Sequence, residues 1–119
     1  MGYPSDSLNF NDLRRANVSR CSKWHPGGVS DWSLSDWAVA TAGEMGEACD
    51  VVKKLNRCRD GLVGNKMSEE ELRDALGKEL ADVAIYLDLL AEAAGVDLGE
   101  AIRAKFNEVS ERNGFTDRL

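Results

Sequence analysis

Two prolines, three cysteines and one histidine are all that the 119 residues hold of these types. Scarce proline leaves long helices permitted, since proline removes a backbone donor and clashes inside a helix. The cysteines, Cys21, Cys49 and Cys58, are odd in number and show no Cys-x-x-Cys spacing. That fits a reduced, cytoplasmic setting better than a disulfide framework. With His25 as the single histidine, a structural zinc site is not expected either. No stretch reaches the roughly 18 apolar residues of a membrane helix. The longest candidate, Leu80 to Ala94, is broken by Asp82, Asp88 and Glu92. The N-terminus lacks a basic region followed by an apolar run, so no signal peptide is expected. Positive charge is also in the minority, for a formal net charge of -6. Binding to a nucleic-acid polymer needs clustered Lys and Arg and is therefore not expected. A phosphate ligand stays compatible with an acidic chain if metal ions lie between it and the carboxylates.

What is present is an ordinary globular balance, 43% hydrophobic and 30% charged, in a length that suits one domain over residues 1–119. No internal repeat or low-complexity segment interrupts it. The pattern predicts an all-α chain of four helices. The first runs from about Leu8 to Ser22, with Phe10, Leu13, Asn17 and Cys21 on one face. His25-Pro26-Gly27-Gly28 marks a turn-rich loop. The second helix starts near Ser33 or Ser35, either able to cap a first-turn amide, and runs to about Cys58. Asp60-Gly61 and Gly64-Asn65 mark the next loop. Ser68 and Glu71 have capping-box spacing and open a third helix that ends at Gly95. Asp97 caps a fourth helix, Leu98 to about Arg112, closed by Asn113-Gly114. Alternation typical of strands is absent.

Placing residues at about 100° intervals around each helix exposes the chemistry. Trp37, Thr41, Ala48, Val51, Val52 and Leu55 form the apolar stripe of the second helix. Glu44 lies near the centre of that stripe and Glu47 on its flank. Leu72, Leu76, Val83, Leu87 and Leu90 form the stripe of the third helix. Glu79 lies near its centre and Asp82 on its flank. A carboxylate on a core-facing stripe loses hydration worth several kcal/mol unless a partner restores it. Carboxylates one turn apart also repel, and neither stripe holds a lysine. A hard divalent cation resolves both problems, because Mg²⁺ takes oxygen ligands, keeps waters and shares phosphate oxygens. Glu-x-x-Glu alone is commonly a solvated face; two matched pairs on two inward stripes are not. A ferritin-like centre would need Glu-x-x-His pairs, and His25 sits in a turn. An EF-hand loop over Asp60 to Glu71 fails at Leu62 and Gly64.

The segments Gly43-Glu44-Met45-Gly46-Glu47 and Glu79-Leu80-Ala81-Asp82 resemble the E-x-x-E…E-x-x-D signature of the MazG-like all-α nucleotide pyrophosphohydrolases. Arg20 to His25, Asp31 to Trp37 and the tail Lys105 to Arg112 resemble the same family, so that the likeness runs from about Asn17 to Phe115. Two features depart from it. The family often has a carboxylate where Gly43 stands, and the interval between Glu47 and Glu79 is long. The resemblance implies a Mg²⁺-dependent enzyme, with Mn²⁺ as a possible substitute, that cleaves a nucleoside triphosphate between the α and β phosphates. It implies Glu44, Glu47, Glu79 and Asp82 as metal ligands, with Glu44 or Glu47 taking a proton from the attacking water. The triphosphate would meet Lys105, Asn107 and Arg112. Trp24 and Trp32 would stack on the base and Asn17 would read its edge. Lys53 and Lys54 fall on a polar side and read as surface charges. Trp37 and Tyr86 read as core and His25 as a turn residue.

Ile85 and Leu89 lie away from the main stripe of the third helix. A helix apolar on more than one side needs more than one neighbour. The expectation is therefore a four-helix MazG-like bundle completed by subunit association, a homo-oligomer of dimer or tetramer form, as the resemblance also implies. Cover by the first and fourth helices of the same chain is the simpler alternative. A non-catalytic helical dimer binding a nucleotide or a metal, or a purely structural bundle, are the competing functions.

Overall fold

A computed structural model describes residues 7–119. Four α-helices follow one another: α1 (Phe10–Trp24), α2 (Leu34–Arg59), α3 (Glu69–Ala93) and α4 (Leu98–Arg112), with a 3-10 turn, Gly28–Asp31, between α1 and α2. The described residues contain no strand, and no helix among them is long and apolar enough to cross a membrane.

The helix boundaries follow from capping chemistry. Asn9 accepts from the Asp12 amide and opens α1. Ser33 and Asp36 form a reciprocal capping box at α2, and Ser68 and Glu71 form another at α3. Each box satisfies amides that the helix itself leaves unpaired. Asp97 caps α4 by accepting from the Glu100 amide. Gly95, with φ +70, ends the α3 region in the left-handed conformation that other residues avoid.

Helices α2 and α3 form the main hairpin. Trp37 near the start of α2 meets Tyr86 late in α3. Farther along α2, Asn65 in the connecting loop donates to the Lys54 carbonyl. The two helices are thus antiparallel. Trp37, Ala48 and Val51 of α2 and Leu72 of α3 are buried as their stripes require. Val52 and Leu87 are corrections to those stripes: both stay exposed at their edges.

Helix α1 lies across α3 and is stitched to it by polar contacts. Arg14 donates from Nε to Asp88 Oδ1 at 2.9 Å and from Nη1 to Glu92 Oε2 at 2.7 Å. Its Nη2 reaches the Val96 carbonyl, tying down the α3–α4 connection. Beside these, Cys21, Trp37 and Leu89 form a buried cluster. Leu89 therefore finds its cover within the chain, under α1 and Trp37, which removes it as an argument for a second subunit. Helix α4 touches the rest of the chain mainly through α1, where Phe10 packs so close to Gly99 that an added Cβ would lie 3.1 Å from it. The outer face of α4 keeps Ile102 and Phe106 exposed, with Phe115 beyond it.

Candidate functional site

The α2–α3 pairing brings Glu44, Glu79 and Asp82 together, with one carboxylate oxygen from each lying within 4.8 Å of the others. Glu44 and Glu79 are half-buried, and Asp82 is exposed. Glu47, one turn after Glu44, stands beside this group and within proton-sharing reach of Glu44 and Glu79. It is exposed and falls outside the tight cluster of three. Ionised carboxylates only accept hydrogen bonds, so these approaches are repulsive. Oε2 of Glu44 and Oε2 of Glu79 are both shielded from solvent without a hydrogen-bond partner. Among the described residues, every lysine and arginine that forms an ion pair does so with some other carboxylate.

Electrostatics follow from this crowding. Burial, and after it the charge of Glu47, holds the Glu44 carboxyl above the usual carboxylate range, with Asp82 and Glu79 adding to the effect. Burial and then Glu47 and Asp82 do the same for Glu79. An all-oxygen set carrying two orphaned, shielded oxygens matches what a hard cation needs. The donor set therefore fits a divalent metal, with Glu44, Glu79 and Asp82 as the holding group and Glu47 at its edge.

A cleft of about 290 Å³ opens next to the cluster, lined by Asn17, Arg20, Trp24, His25, Trp32, Trp37 and Tyr86 as well as by Asp82. Asp82 is thus common to both. The loop after α1 builds the aromatic wall. The His25 amide donates to Cys21, Gly27 donates to Asp31 Oδ2, and Trp37 Nε1 donates to the Val29 carbonyl. Gly28, at φ +76, permits the turn. The result packs His25 edge-on against Trp32 at 5.0 Å and Trp37 at 5.6 Å, with Trp32 and Trp37 4.6 Å apart. Trp24 stays 68% exposed and Trp32 36%, so both keep ring surface free for a ligand. The Arg20 guanidinium lies over the Trp24 ring at 5.3 Å.

The sequence candidates divide accordingly. Glu44, Glu47, Glu79 and Asp82 converge, and Asn17, Trp24 and Trp32 share the adjoining cleft. Lys105, Asn107 and Arg112 lie on α4 and line no part of that cleft. Lys105 pairs with Glu108. Asn107 holds the chain end, accepting from the Leu119 amide at 2.9 Å and donating to its carbonyl. Lys53 and Lys54 both pair with Asp50, as surface charges do. Trp37 is core, 1% exposed, but it also backs the cleft, and Tyr86 and His25 line it. Arg20 also lines the cleft, although the sequence pattern does not single it out. Its signal is the spacing Asn17, Arg20, Cys21, Trp24, which is one face of α1.

Comparison with known protein families gives no match to any family profile. The chain is similar to a curated relative, the Gene 37 protein of Mycobacterium phage L5, at 34% identity over 79 residues. The similarity covers 66% of this chain and spans 65% of the length of that relative. The relative's name states no activity.

Proposed function

We propose that this chain is a Mg²⁺-dependent nucleoside triphosphate pyrophosphohydrolase of the MazG-like kind. The observation that carries the reading is the position of Asp82. It belongs at once to a cluster with unpartnered carboxylate oxygens and to an aromatic cleft. A nucleoside triphosphate has the matching halves, an anionic chain that needs a cation and a flat base that stacks.

Glu44, Glu79 and Asp82 would hold the cation, with Glu47 completing the set; Mn²⁺ is the natural substitute for Mg²⁺ in such an oxygen site. The cation supplies neutralisation of the phosphate charge and makes water more acidic. Glu44 or Glu47 would take the proton from the attacking water. Breaking the bond between the α phosphorus and the bridging oxygen gives the nucleoside monophosphate and pyrophosphate. Trp24 and Trp32 would stack on the base. Arg20, which lines the cleft with Asp82 and lies over Trp24, would take the phosphate-facing role that the sequence suggested for Lys105 and Arg112.

A second copy of the chain is the proposed cover for α4. Ile102, Phe106, Val109 and Phe115 form an open apolar groove with Lys105 at its side. Contributions of Lys105, Asn107 or Arg112 to the phosphates would come across that interface, in a homodimer or a tetramer.

The test is pyrophosphate release with Mg²⁺ over a panel of ribo- and deoxynucleoside triphosphates, beside Glu79→Gln. Release by the wild type and not by the variant is expected. Inactivity on every nucleotide, with unchanged melting on adding Mg²⁺ and nucleotide, would overturn the assignment.

A further inference from the structure

Asn17 is the polar group of the cleft whose direction is fixed by chemistry rather than by free rotation. It is only 4% exposed. Its amide nitrogen donates to the Ile85 carbonyl at 2.8 Å and to Asp88 Oδ2 at 3.1 Å. Asp88, 1% exposed, receives the Arg14 Nε at 2.9 Å on its other oxygen. A peptide carbonyl only accepts, and so does a carboxylate paired with a guanidinium. Both amide hydrogens of Asn17 are therefore spent on acceptors. A flipped amide would set its oxygen against both of them, so the flip is disfavoured. Oδ1 is turned away from Asp88, on a residue that lines the cleft.

Other cleft groups discriminate less. The Tyr86 hydroxyl rotates, and a neutral His25 offers both a donor and an acceptor. Trp37 Nε1 is already spent on Val29. Arg20 is exposed, and water can serve whatever faces it.

We propose that Asn17 presents Oδ1 to the base as a fixed acceptor, that Asp88 and Arg14 are the positioning residues that hold it so, and that the cleft thereby selects amino-bearing bases over their oxo counterparts. An amino group completes the hydrogen bond. With the base placed the same way, an oxo group sets two acceptors against each other, which costs more than the bond alone; the ring N–H beside it lies one ring position away and reaches Oδ1 only if the base shifts. The inference rests on the nucleotide reading of the cleft, but it requires no catalysis.

The experiment is a titration of the metal-free protein with nucleoside monophosphates, read by tryptophan fluorescence. Cytidine and uridine monophosphates form one pair, adenosine and inosine monophosphates the other. In each pair an amino group replaces an oxo group, and the neighbouring ring nitrogen changes from donor to acceptor. The wild type should bind the amino member roughly 5- to 10-fold more tightly. In Asn17→Ala the ratio should fall to about one, as expected for loss of a single hydrogen bond. In Asp88→Asn, Arg14 still donates to the side-chain oxygen, and the new amide can donate to Asn17 Oδ1. A flip of Asn17 to accept that donation would set Oδ1 against the Ile85 carbonyl, 2.8 Å from the present amide nitrogen, so neither orientation is fixed and the amino preference should fall toward one. A merely structural role for Asp88 would weaken all four ligands alike and leave the ratio untouched, which would overturn the positioning claim. Circular dichroism confirms folding, and Asn17→Ala carries the test if Asp88→Asn does not fold. Equal affinities in the wild type, or binding of none of the four, would overturn the proposal. Loss of the hydrolase reading looks different: the affinity ratio persists while no triphosphate is cleaved.

Discussion

Glu44 on α2 and Glu79 on α3 each bring an Oε2 oxygen into the packed hairpin, and neither oxygen has a hydrogen-bond partner. Burial and mutual repulsion make this pair unfavourable to the metal-free fold. Glu44→Gln and Glu79→Gln should therefore each raise the melting temperature without metal. Each should also shrink the rise that Mg²⁺ produces in the wild type, since a ligand bound only by the folded state stabilises it. Differential scanning fluorimetry with and without Mg²⁺ separates the two effects. Lower stability of both variants without metal would contradict the strain argument.

The same two carboxyls set a pH dependence. Both are held above the usual carboxylate range in the folded state. The folded chain thus binds their protons more tightly than the unfolded chain does. Their stabilising contribution is fully present below the unfolded carboxylate pKa and is lost as pH rises through the higher folded value. Metal-free wild type should gain stability on mild acidification relative to a Glu44→Gln/Glu79→Gln double variant. Mg²⁺ competes with those protons, so its stabilising effect should fade over the same acid shift. Melting curves stepped from neutral pH downward give both trends.

Trp24 and Trp32 leave ring surface free at the cleft. Replacing either with alanine should weaken nucleotide binding by about 10-fold, the scale of one base–aromatic stack. Melting of the metal-free protein should change little for Trp24→Ala, because that ring is largely in solvent. Calorimetric titration gives the affinity.

Arg14 and Asp88 lock α1 onto α3. Arg14→Ala strands a buried carboxylate and should cost about 3 kcal/mol in urea unfolding, as breaking a buried pair typically does. An effect below about 1 kcal/mol, the range of a surface pair, would show that water replaces the guanidinium without penalty.

Phe106 lies 43% exposed on α4. If a second copy covers that face, Phe106→Glu should shift the chain to monomer in analytical ultracentrifugation while leaving its helix content intact. A wild type that is already monomeric at high concentration would remove the subunit-association proposal.

Much of this architecture is legible in the residues alone. Ser33, Ser68, Asp97 and Gly95 mark helix ends because capping and left-handed geometry are local demands that a few neighbouring residues satisfy. Helical periodicity alone puts Glu44 and Glu79 on the inward stripes, because side-chain direction is set by the helix itself. What periodicity cannot supply is the register between helices. Only the packing of α2 on α3 makes Asp82 the shared member of the cluster and the cleft while leaving Glu47 at the edge. The crossing of α1 over α3, similarly, decides that Leu89 is covered, that Asp88 is buried and that the Asn17 amide points one way. These contacts join residues about seventy positions apart. The sequence by itself determined which helices form and which faces carry carboxylates. Tertiary structure alone decided which of those side chains meet, because their meeting depends on how the helices settle against one another and not on the conformation of any one of them.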